Sequence, residues 1–219
     1  MIYEDLAIEH IGHSTIRIES SNGTVIYIDP WSGSIDGEPR DGDIIFVTHD
    51  DHDHYDPHAI RVVAKPGATV AAYTAISTDE LKLNVTGLPY DSSVTVGGID
   101  VQTVPAYNNP TGDHVDEDGN PYHAEGEVTG IRLSIDNTSV FFPSDTDVLP
   151  HHHEIRTQVL LPPIGGTYTM NRHEAAELAR RIEPEVVLPV HYDTFDAIET
   201  DVNAFVKELT NDGIAVELG

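Results

Sequence analysis

The chain has 219 residues, enough for one well-packed core, and its 38 Asp and Glu against 11 Lys and Arg give a formal net charge of −27. Apolar runs such as Val25-Ile26-Tyr27-Ile28 exclude a disordered acidic protein, and the scarcity of clustered cations disfavours a nucleic-acid-binding protein. No apolar run has the length of a membrane span, no secretory signal pattern is expected at the start, and the lack of Cys excludes disulfides, iron–sulfur clusters and thiol catalysis.

The first half of the chain is predicted to form strands joined by turns. Apolar patterns predict strands at residues 7–11, 15–19, 25–28, 44–47 and 69–72, with Ser21-Asn22-Gly23 as a hairpin turn. Asp56 and Pro57 are typical of an N-cap and a first helical residue, so a helix is predicted over 57–64. A second helix is predicted over 77–83.

The second half alternates strands with helices. A hairpin is predicted from strands 92–96 and 99–104, followed by a long polar loop over 107–128 and further strands at 129–135, 139–142, 159–161, 186–190 and 214–218. Asn171 and Glu174 have the spacing of a capping box, which predicts a helix ending near residue 182, and a last helix is predicted over 200–209. This order favours a layered α/β architecture with two sheets inside and helices outside.

The segment that follows the strand ending at Val47 contains three His and three Asp within seven residues. Such a cluster is costly to hold together unless cations occupy it, and alternate side chains of a loop that leaves a strand can converge on one point. Nitrogen and carboxylate donors together suit zinc, iron or manganese better than calcium or magnesium. The competing interpretation is a solvated acidic loop that is merely rich in His, and the placement of the segment after a strand disfavours it.

This segment resembles the His-x-His-x-Asp-His motif of the metallo-β-lactamase superfamily, which binds two metal ions. His49, Asp53 and His54 match the motif, whereas Asp51 stands at the position of the second His and His52 is displaced by one place. The flavodiiron branch carries a carboxylate at that position, so either Asp51 or His52 is the expected ligand. Iron is then an alternative to zinc.

Further motifs resemble those of the small ascorbate-6-phosphate-lactonase-like branch, in the same order along nearly the whole chain. They are Gly12-His13-Ser14-Thr15, Ile28-Asp29-Pro30, Pro105-Ala106-Tyr107-Asn108, Ser144-Asp145-Thr146-Asp147, Pro162-Pro163-Ile164-Gly165-Gly166 with Thr169-Met170, and Pro189-Val190-His191-Tyr192. The resemblance implies a four-layer αββα sandwich that spans residues 1–219 as one domain.

The resemblance also implies a set of metal ligands. The first ion would be held by a third His together with His49 and Asp51, the second ion by Asp53, His54 and His191, and Asp145 would bridge the two. His114 and His123 are both candidates for the third His, and His123 is preferred because His123-Ala124-Glu125-Gly126 precedes a strand as the corresponding motif of the branch does. Asp53 and Asp145 are the candidate catalytic residues.

The remaining histidines receive other interpretations. His151-His152-His153 is expected to open a short exposed helix, with at most adventitious metal binding. His13 has two interpretations, a structural residue or a neighbour of the site.

The implied activity is a metal-dependent hydrolase. Two divalent ions, zinc first with manganese or iron as alternatives, would activate a hydroxide that attacks an ester, lactone or phosphodiester. The alternatives are a di-iron redox protein, which Asp51 favours, and a degenerate domain that binds metal without catalysis. The substrate is expected to be a small molecule, with no nucleic-acid or membrane partner and with homo-oligomers as a possibility.

The scarcity of Lys and the excess of Asp are typical of salt-accumulating microbes, chiefly haloarchaea. An acidic partner-binding surface is the alternative, and it is disfavoured because the acidic residues are spread along the chain. A cytoplasmic protein is expected.

Overall fold

The computed structural model describes residues 1–219, which form two seven-stranded sheets packed face to face. The strands of the first sheet, in spatial order, are β1 (Ile2–Tyr3), β2 (Leu6–Gly12), β3 (Thr15–Glu19), β4 (Val25–Ile28), β5 (Gly42–Val47), β6 (Ala64–Tyr73) and β7 (Val85–Leu88). Those of the second sheet are β8 (Ser93–Val96), β9 (Ile99–Ala106), β10 (Val128–Ile135), β11 (Thr138–Phe142), β12 (Val159–Leu160), β13 (Val186–Val187) and β14 (Ala215–Val216).

The two sheets repeat one topology. In each, the first four strands pair antiparallel and the last four pair parallel, with β4 and β11 taking part in both halves. Strands of a parallel sheet are buried on both faces, so their sequences are continuous apolar runs, as in β4 and β11. Their carboxyl ends lie at one edge of each sheet, and the candidate site occupies this edge.

The helices cover the outer faces of the sheets. They are α1 (Pro57–Val63), α2 (Arg172–Ile182) and α3 (Val202–Asn211). Inward side chains such as Ile26 and Phe142 form a core between the sheets, while alternate outward ones such as Val25 and Phe141 pack in separate cores beneath α1 and beneath α2 and α3. The arrangement confirms the predicted four-layer αββα sandwich. None of the helices is long and apolar enough to cross a membrane.

Local signals placed two helix starts correctly. The Asp56 carboxylate accepts hydrogen bonds from the backbone N–H groups of His58 and Ala59, as the N-cap prediction for α1 required. Asn171 and Glu174 form the predicted capping box at the start of α2.

The predicted helix over 77–83 is wrong, because the segment forms turns that lead into β7. Leu81 is its one buried side chain, whereas Leu83 is exposed, so the segment has no apolar face to pack. A helix this short is unstable in water without such packing.

The expected short helix at His151-His152-His153 is also not exposed as predicted. Residues Pro150–Glu154 form one 3-10 turn, and His152 is fully buried in it. Its Nε2–H donates to the Pro105 carbonyl (3.1 Å), and its Nδ1 accepts from the Leu149 N–H (3.3 Å). Both ring nitrogens are therefore satisfied within the protein.

Candidate metal centre

Loops that follow parallel strands bring the predicted site residues to one edge of the sandwich. His49 lies two residues after β5, Asp145 follows β11, and His191 follows the segment of β13. His123 comes from the long polar loop between β9 and β10 that the sequence predicts.

The buried carboxylate of Asp145 is the centre of the cluster. Its Oδ1 lies 3.4 Å from His54 Nε2, and its Oδ2 lies 3.1 Å from His191 Nε2 and 3.7 Å from His123 Nε2. Three imidazoles from separate parts of the chain therefore face one carboxylate, which is the arrangement expected of a bridging ligand.

Asp51, and not His52, lies in this cluster. The Asp51 Oδ2 atom is 3.3 Å from His123 Nε2 and 3.7 Å from His49 Nε2. The His52 side chain is 82 % exposed, and its nearest acidic partner is Asp53 at 3.6 Å. The local geometry thus distinguishes the two candidates that the sequence left open.

His123, and not His114, faces Asp51 and Asp145. The Nδ1 atom of His114 is 2.6 Å from Asp147 Oδ1, so this histidine belongs to a separate pair behind the site. The hydrogen bond to Asp147 raises the pKa of His114 above its ordinary value.

Two groups of donor atoms flank Asp145, and within each group the atoms lie no more than 4.8 Å apart. One group consists of His49, Asp51 and His123, and the other of His13, Asp53, His54 and His191. A third group with the same spacing, Asp29, His49 and His54, shares its histidines with these two. All predicted ligands belong to one of the groups or to Asp145 itself, and His13 is an addition. Each group has the size and the mixed nitrogen and carboxylate donors of a divalent-metal site.

Buried atoms without hydrogen-bond partners support a metal at this place. They include the Nε2 atoms of His49 and His54 and the Oδ1 atom of Asp145. Such unpaired groups are rare in folded proteins and call for an explanation, and a metal ion would satisfy these atoms. The residues present therefore fit a metal centre.

Asp29 orients His54. The His54 Nδ1–H donates to Asp29 Oδ2 at 2.8 Å, which leaves the Nε2 lone pair directed at the site. Asp29 is itself fixed by the Thr48 N–H (2.9 Å) and the Thr48 hydroxyl (2.6 Å). The sequence placed Asp29 in a matched motif but did not predict this role.

Asn108 orients the ring of His123, as Asp29 orients that of His54. Its Oδ1 accepts from the His123 N–H (2.8 Å) and from His123 Nδ1–H (3.1 Å). Its Nδ2 donates to Asp147 Oδ1 (2.9 Å) and to the Tyr168 carbonyl (3.0 Å), so the amide cannot rotate freely. No signal in the sequence distinguished this residue as a positioning group.

His13 is buried against the second group of donors. Its Nε2 lies 3.0 Å from Asp53 Oδ2, and its ring centroid is 4.2 Å from that of His191. Burial lowers the pKa of His13 to about 4 against the opposing effect of Asp53, so the ring is neutral at pH 7. These contacts place His13 beside the site, in agreement with its interpretation as a neighbour of the site and not as a purely structural residue.

The charged side chains of the site shift one another's pKa values. Burial alone lowers the pKa of His54, but the facing Asp145 outweighs it and holds this pKa well above the ordinary value. Burial alone raises the pKa of Asp145, but His191 and His54 together hold it well below the ordinary value. A hydrogen bond from His123 likewise lowers the pKa of Asp51. Metal binding would displace the additional proton that this raised pKa places on His54.

Several site residues adopt left-handed backbone conformations, which are unfavourable for side chains other than glycine. Their φ angles are 52° at His13, 44° at Asp29, 61° at Ser144 and 53° at His191. Backbone strain of this kind persists only where surrounding contacts enforce it, and it is concentrated at functional sites. The four turns redirect the chain at the ends of strands so that the side chains converge.

The chain matches a known family over most of its length. A model described as the beta-lactamase superfamily domain matches residues 7–191. A UPF0173 metal-dependent hydrolase from Methanopyrus kandleri is 30% identical and covers 97% of this chain and 95% of its own. A UPF0173 metal-dependent hydrolase from Methanosphaerula palustris is 31% identical and covers 90% of this chain and 88% of its own.

Two solved structures are similar to this chain in fold. Igni18, a metallo hydrolase from Ignicoccus hospitalis, has a TM-score of 0.79 at 26% identity and covers 98% of this chain and 94% of its own. A protein from Parabacteroides distasonis assigned as a metal-dependent hydrolase has a TM-score of 0.83 at 28% identity and covers 97% and 92%. The chain belongs to the beta-lactamase superfamily and, within it, to the family of UPF0173 metal-dependent hydrolases.

Proposed function

We propose that this chain is a metal-dependent hydrolase with two divalent ions, and that it cleaves an ester, a lactone or a phosphodiester. The observation that supports this most directly is the convergence of three imidazoles on the buried Asp145 carboxylate, with unpaired atoms facing one another. The whole chain, residues 1–219, would act as one domain. The motif resemblance to the ascorbate-6-phosphate-lactonase-like branch is consistent with this activity.

The first ion would be held by His49, Asp51 and His123, the second by Asp53, His54 and His191, and Asp145 would bridge them. Zinc suits this donor set, and manganese or iron would also fit it. When bound, such a pair of ions lowers the pKa of a shared water towards neutrality and polarises the substrate oxygen.

The chain's own residues would orient the reactants. The Asp53 carboxylate lies at the pocket surface, and His13 holds it through the 3.0 Å contact, so one of its oxygens can accept a hydrogen bond from the attacking water. Asp29 and Asn108 fix the rings of His54 and His123, so the donor atoms need not reorganise when metal binds.

A di-iron redox protein is the second candidate, because Asp51 supplies a carboxylate where the hydrolase motif has His. The metal content of protein purified without added metal separates the two. Zinc or manganese would support the hydrolase, whereas two equivalents of iron together with no turnover of any hydrolase substrate would support the redox alternative.

Activity is tested with a panel of lactones, phosphodiesters and thioesters, small molecules that the resemblance implies as substrates. The assay contains about 1 M KCl, since the composition favours a salt-adapted protein. Asp145→Ala is the matched inactive control. Turnover by the wild type alone would support the proposal. Absence of bound metal, with no uptake when metal is titrated in high salt, would contradict both candidates.

A further inference from the structure

The pocket above the donor groups has a cavity volume of about 380 Å³, a size suited to a small molecule. Its floor is formed by Asp and His side chains of the centre, and its walls carry the aromatic rings of Tyr122, Tyr168 and Phe195. Tyr122 and Tyr168 meet edge to face, with ring centroids 4.9 Å apart. The pocket is thus polar at the bottom and aromatic around the substrate.

Two of these rings are exposed to an unusual degree. Tyr122 is 40% exposed and Phe195 39%, which places both among the few large hydrophobic side chains that the fold leaves open to water. Aromatic surface of this kind at the mouth of a pocket is covered when an apolar group binds.

The walls are held in place by hydrogen bonds. The Tyr168 carbonyl accepts from Asn108 Nδ2 at 3.0 Å. The Phe195 turn is closed by the Ile198 N–H, which donates to the Phe195 carbonyl at 2.9 Å, and the Phe195 ring packs against Trp31 with centroids 5.7 Å apart. A preformed wall binds an apolar group without the entropic cost of ordering a loop.

The charge of the pocket is equally informative. None of the chain's Lys or Arg side chains lines it. Asp51, Asp53 and Asp145 place three carboxylates in the lining, and these would offset most of the positive charge of two divalent ions. Asp29 adds a further carboxylate behind His54. The chain therefore supplies several carboxylates and no Lys or Arg beside the pocket, a charge pattern that favours a neutral substrate over an anionic one.

We propose that the substrate is an uncharged ester or lactone whose apolar or aromatic group packs against Tyr122, Tyr168 and Phe195, and that anionic substrates such as phosphodiesters are disfavoured. The proposal rests on the hydrolase function proposed above. Water adds to the acyl carbon and the acyl C–O bond breaks, which yields an acid and an alcohol, or one hydroxy acid from a lactone.

The first test compares two esters that share a leaving group and differ in charge: p-nitrophenyl valerate, which is neutral, and p-nitrophenyl succinate, whose acyl chain ends in a carboxylate. At fixed KCl and saturating zinc, we expect kcat/KM to be at least about tenfold higher for the neutral ester. Equal or higher kcat/KM for the succinate would overturn the proposal.

The second test alters the walls. Phe195→Ala should lower kcat/KM for the neutral ester about tenfold, mainly through KM, because it removes apolar contact and not a metal donor. Tyr122→Arg should shift the ratio of the two specificity constants at least about tenfold towards the anionic ester. Leu83→Arg, an equally exposed position (43%) outside the pocket, is the control and should leave the ratio unchanged. Identical ratios for Tyr122→Arg and Leu83→Arg would count against the proposal.

The third test measures binding without turnover. Trp31 is the one tryptophan in the chain and contacts Phe195, so its fluorescence reports occupancy of the pocket. N-phenylvaleramide should quench it at an at least tenfold lower concentration than N-phenylsuccinamate does. If the neutral amide binds preferentially but no ester is cleaved, the hydrolase proposal fails and the specificity stands. If both esters are cleaved equally well and both amides bind equally, the specificity fails and the hydrolase stands.

Discussion

Two segments of this chain are similarly rich in histidine, but their rings have different environments in the structure. In residues 49–54, His49 directs an unpaired Nε2 atom at Asp51 of the same segment, and His54 directs one at Asp145, which follows β11. In residues 151–153, His151 and His152 both turn Nε2 to the Pro105 carbonyl. The comparison teaches that the density of His does not define a candidate metal site, whereas convergence on shared carboxylates does.

The largest expected effect comes from removing the shared carboxylate. Asp145→Ala and His191→Ala should each remove at least one equivalent of metal, because both residues supply atoms to the centre of the cluster. Metal analysis after dialysis measures this. The double variant H151A/H153A is the control and should keep the wild-type stoichiometry. If Asp145→Ala keeps the wild-type metal stoichiometry, the proposal that residues 49–54 belong to a metal site and residues 151–153 do not is contradicted.

A smaller effect is expected within residues 49–54 themselves. Asp51→Ala should lower the affinity for the first ion at least about tenfold, since Asp51 faces His49 and His123. His52→Ala should leave the affinity unchanged, because that ring points to solvent. Titration with a competing chelator measures both. The opposite ranking would assign the ligand to His52.

The positioning amide should have a comparable or weaker effect. Asn108→Ala should reduce metal affinity about tenfold, because His123 then loses the acceptor that fixes its ring. Asn109→Ala is the neighbouring control, since its side chain bonds only Thr111 in the adjacent turn. If Asn108→Ala and Asn109→Ala bind metal equally well, Asn108 has no positioning role.

The smallest effect concerns His152 and depends on pH. Burial lowers its pKa to about 3, against 6.5 in the unfolded chain, so between these values the unfolded state binds a proton that the folded state does not. Its contribution to stability is therefore lost as pH falls below 6.5, by about 1.4 kcal/mol down to pH 5.5. Above pH 6.5 both states are neutral and the contribution is constant.

Urea unfolding at pH 7.5 and 5.5 measures this difference. In His152→Gln the loss of unfolding free energy over this range should be smaller than in the wild type by about 1.4 kcal/mol. His58→Gln, on the exposed side of α1, should behave as the wild type does. Equal pH dependence in all three proteins would show that His152 takes up its proton in the folded state.

Much of the fold could be predicted because its signals are local. Apolar runs such as Val25–Ile28 identify strands buried on both faces, and Asp56 and Asn171 cap helices through bonds to residues two or three places away. The segment 77–83 could not be predicted, since its helical propensity was weak and the absence of a packing surface became visible only in three dimensions.

The candidate site likewise contains residues that the sequence could identify and others that it could not. His49, Asp53, His54, Asp145 and His191 follow from spacing and from the resemblance to a known motif, since each stands beside a strand end in sequence. The choice of Asp51 over His52 depends on a turn in which the Tyr55 N–H bonds the Asp51 carbonyl at 2.7 Å, a geometry the residue order does not specify.

The amino-acid sequence by itself determined the layered α/β class, the acidic surface and the candidate ligands that lie at strand ends, because periodicity, capping and motif spacing are properties of neighbouring residues. Only the tertiary structure decided that His123 rather than His114 reaches Asp145, that Asp29 and Asn108 hold the rings, that His13 belongs to the site, and that His152 does not. The hydrogen bonds among them join residues 15 to 40 positions apart in the chain. The packing of two sheets, and not any local preference, brings them together.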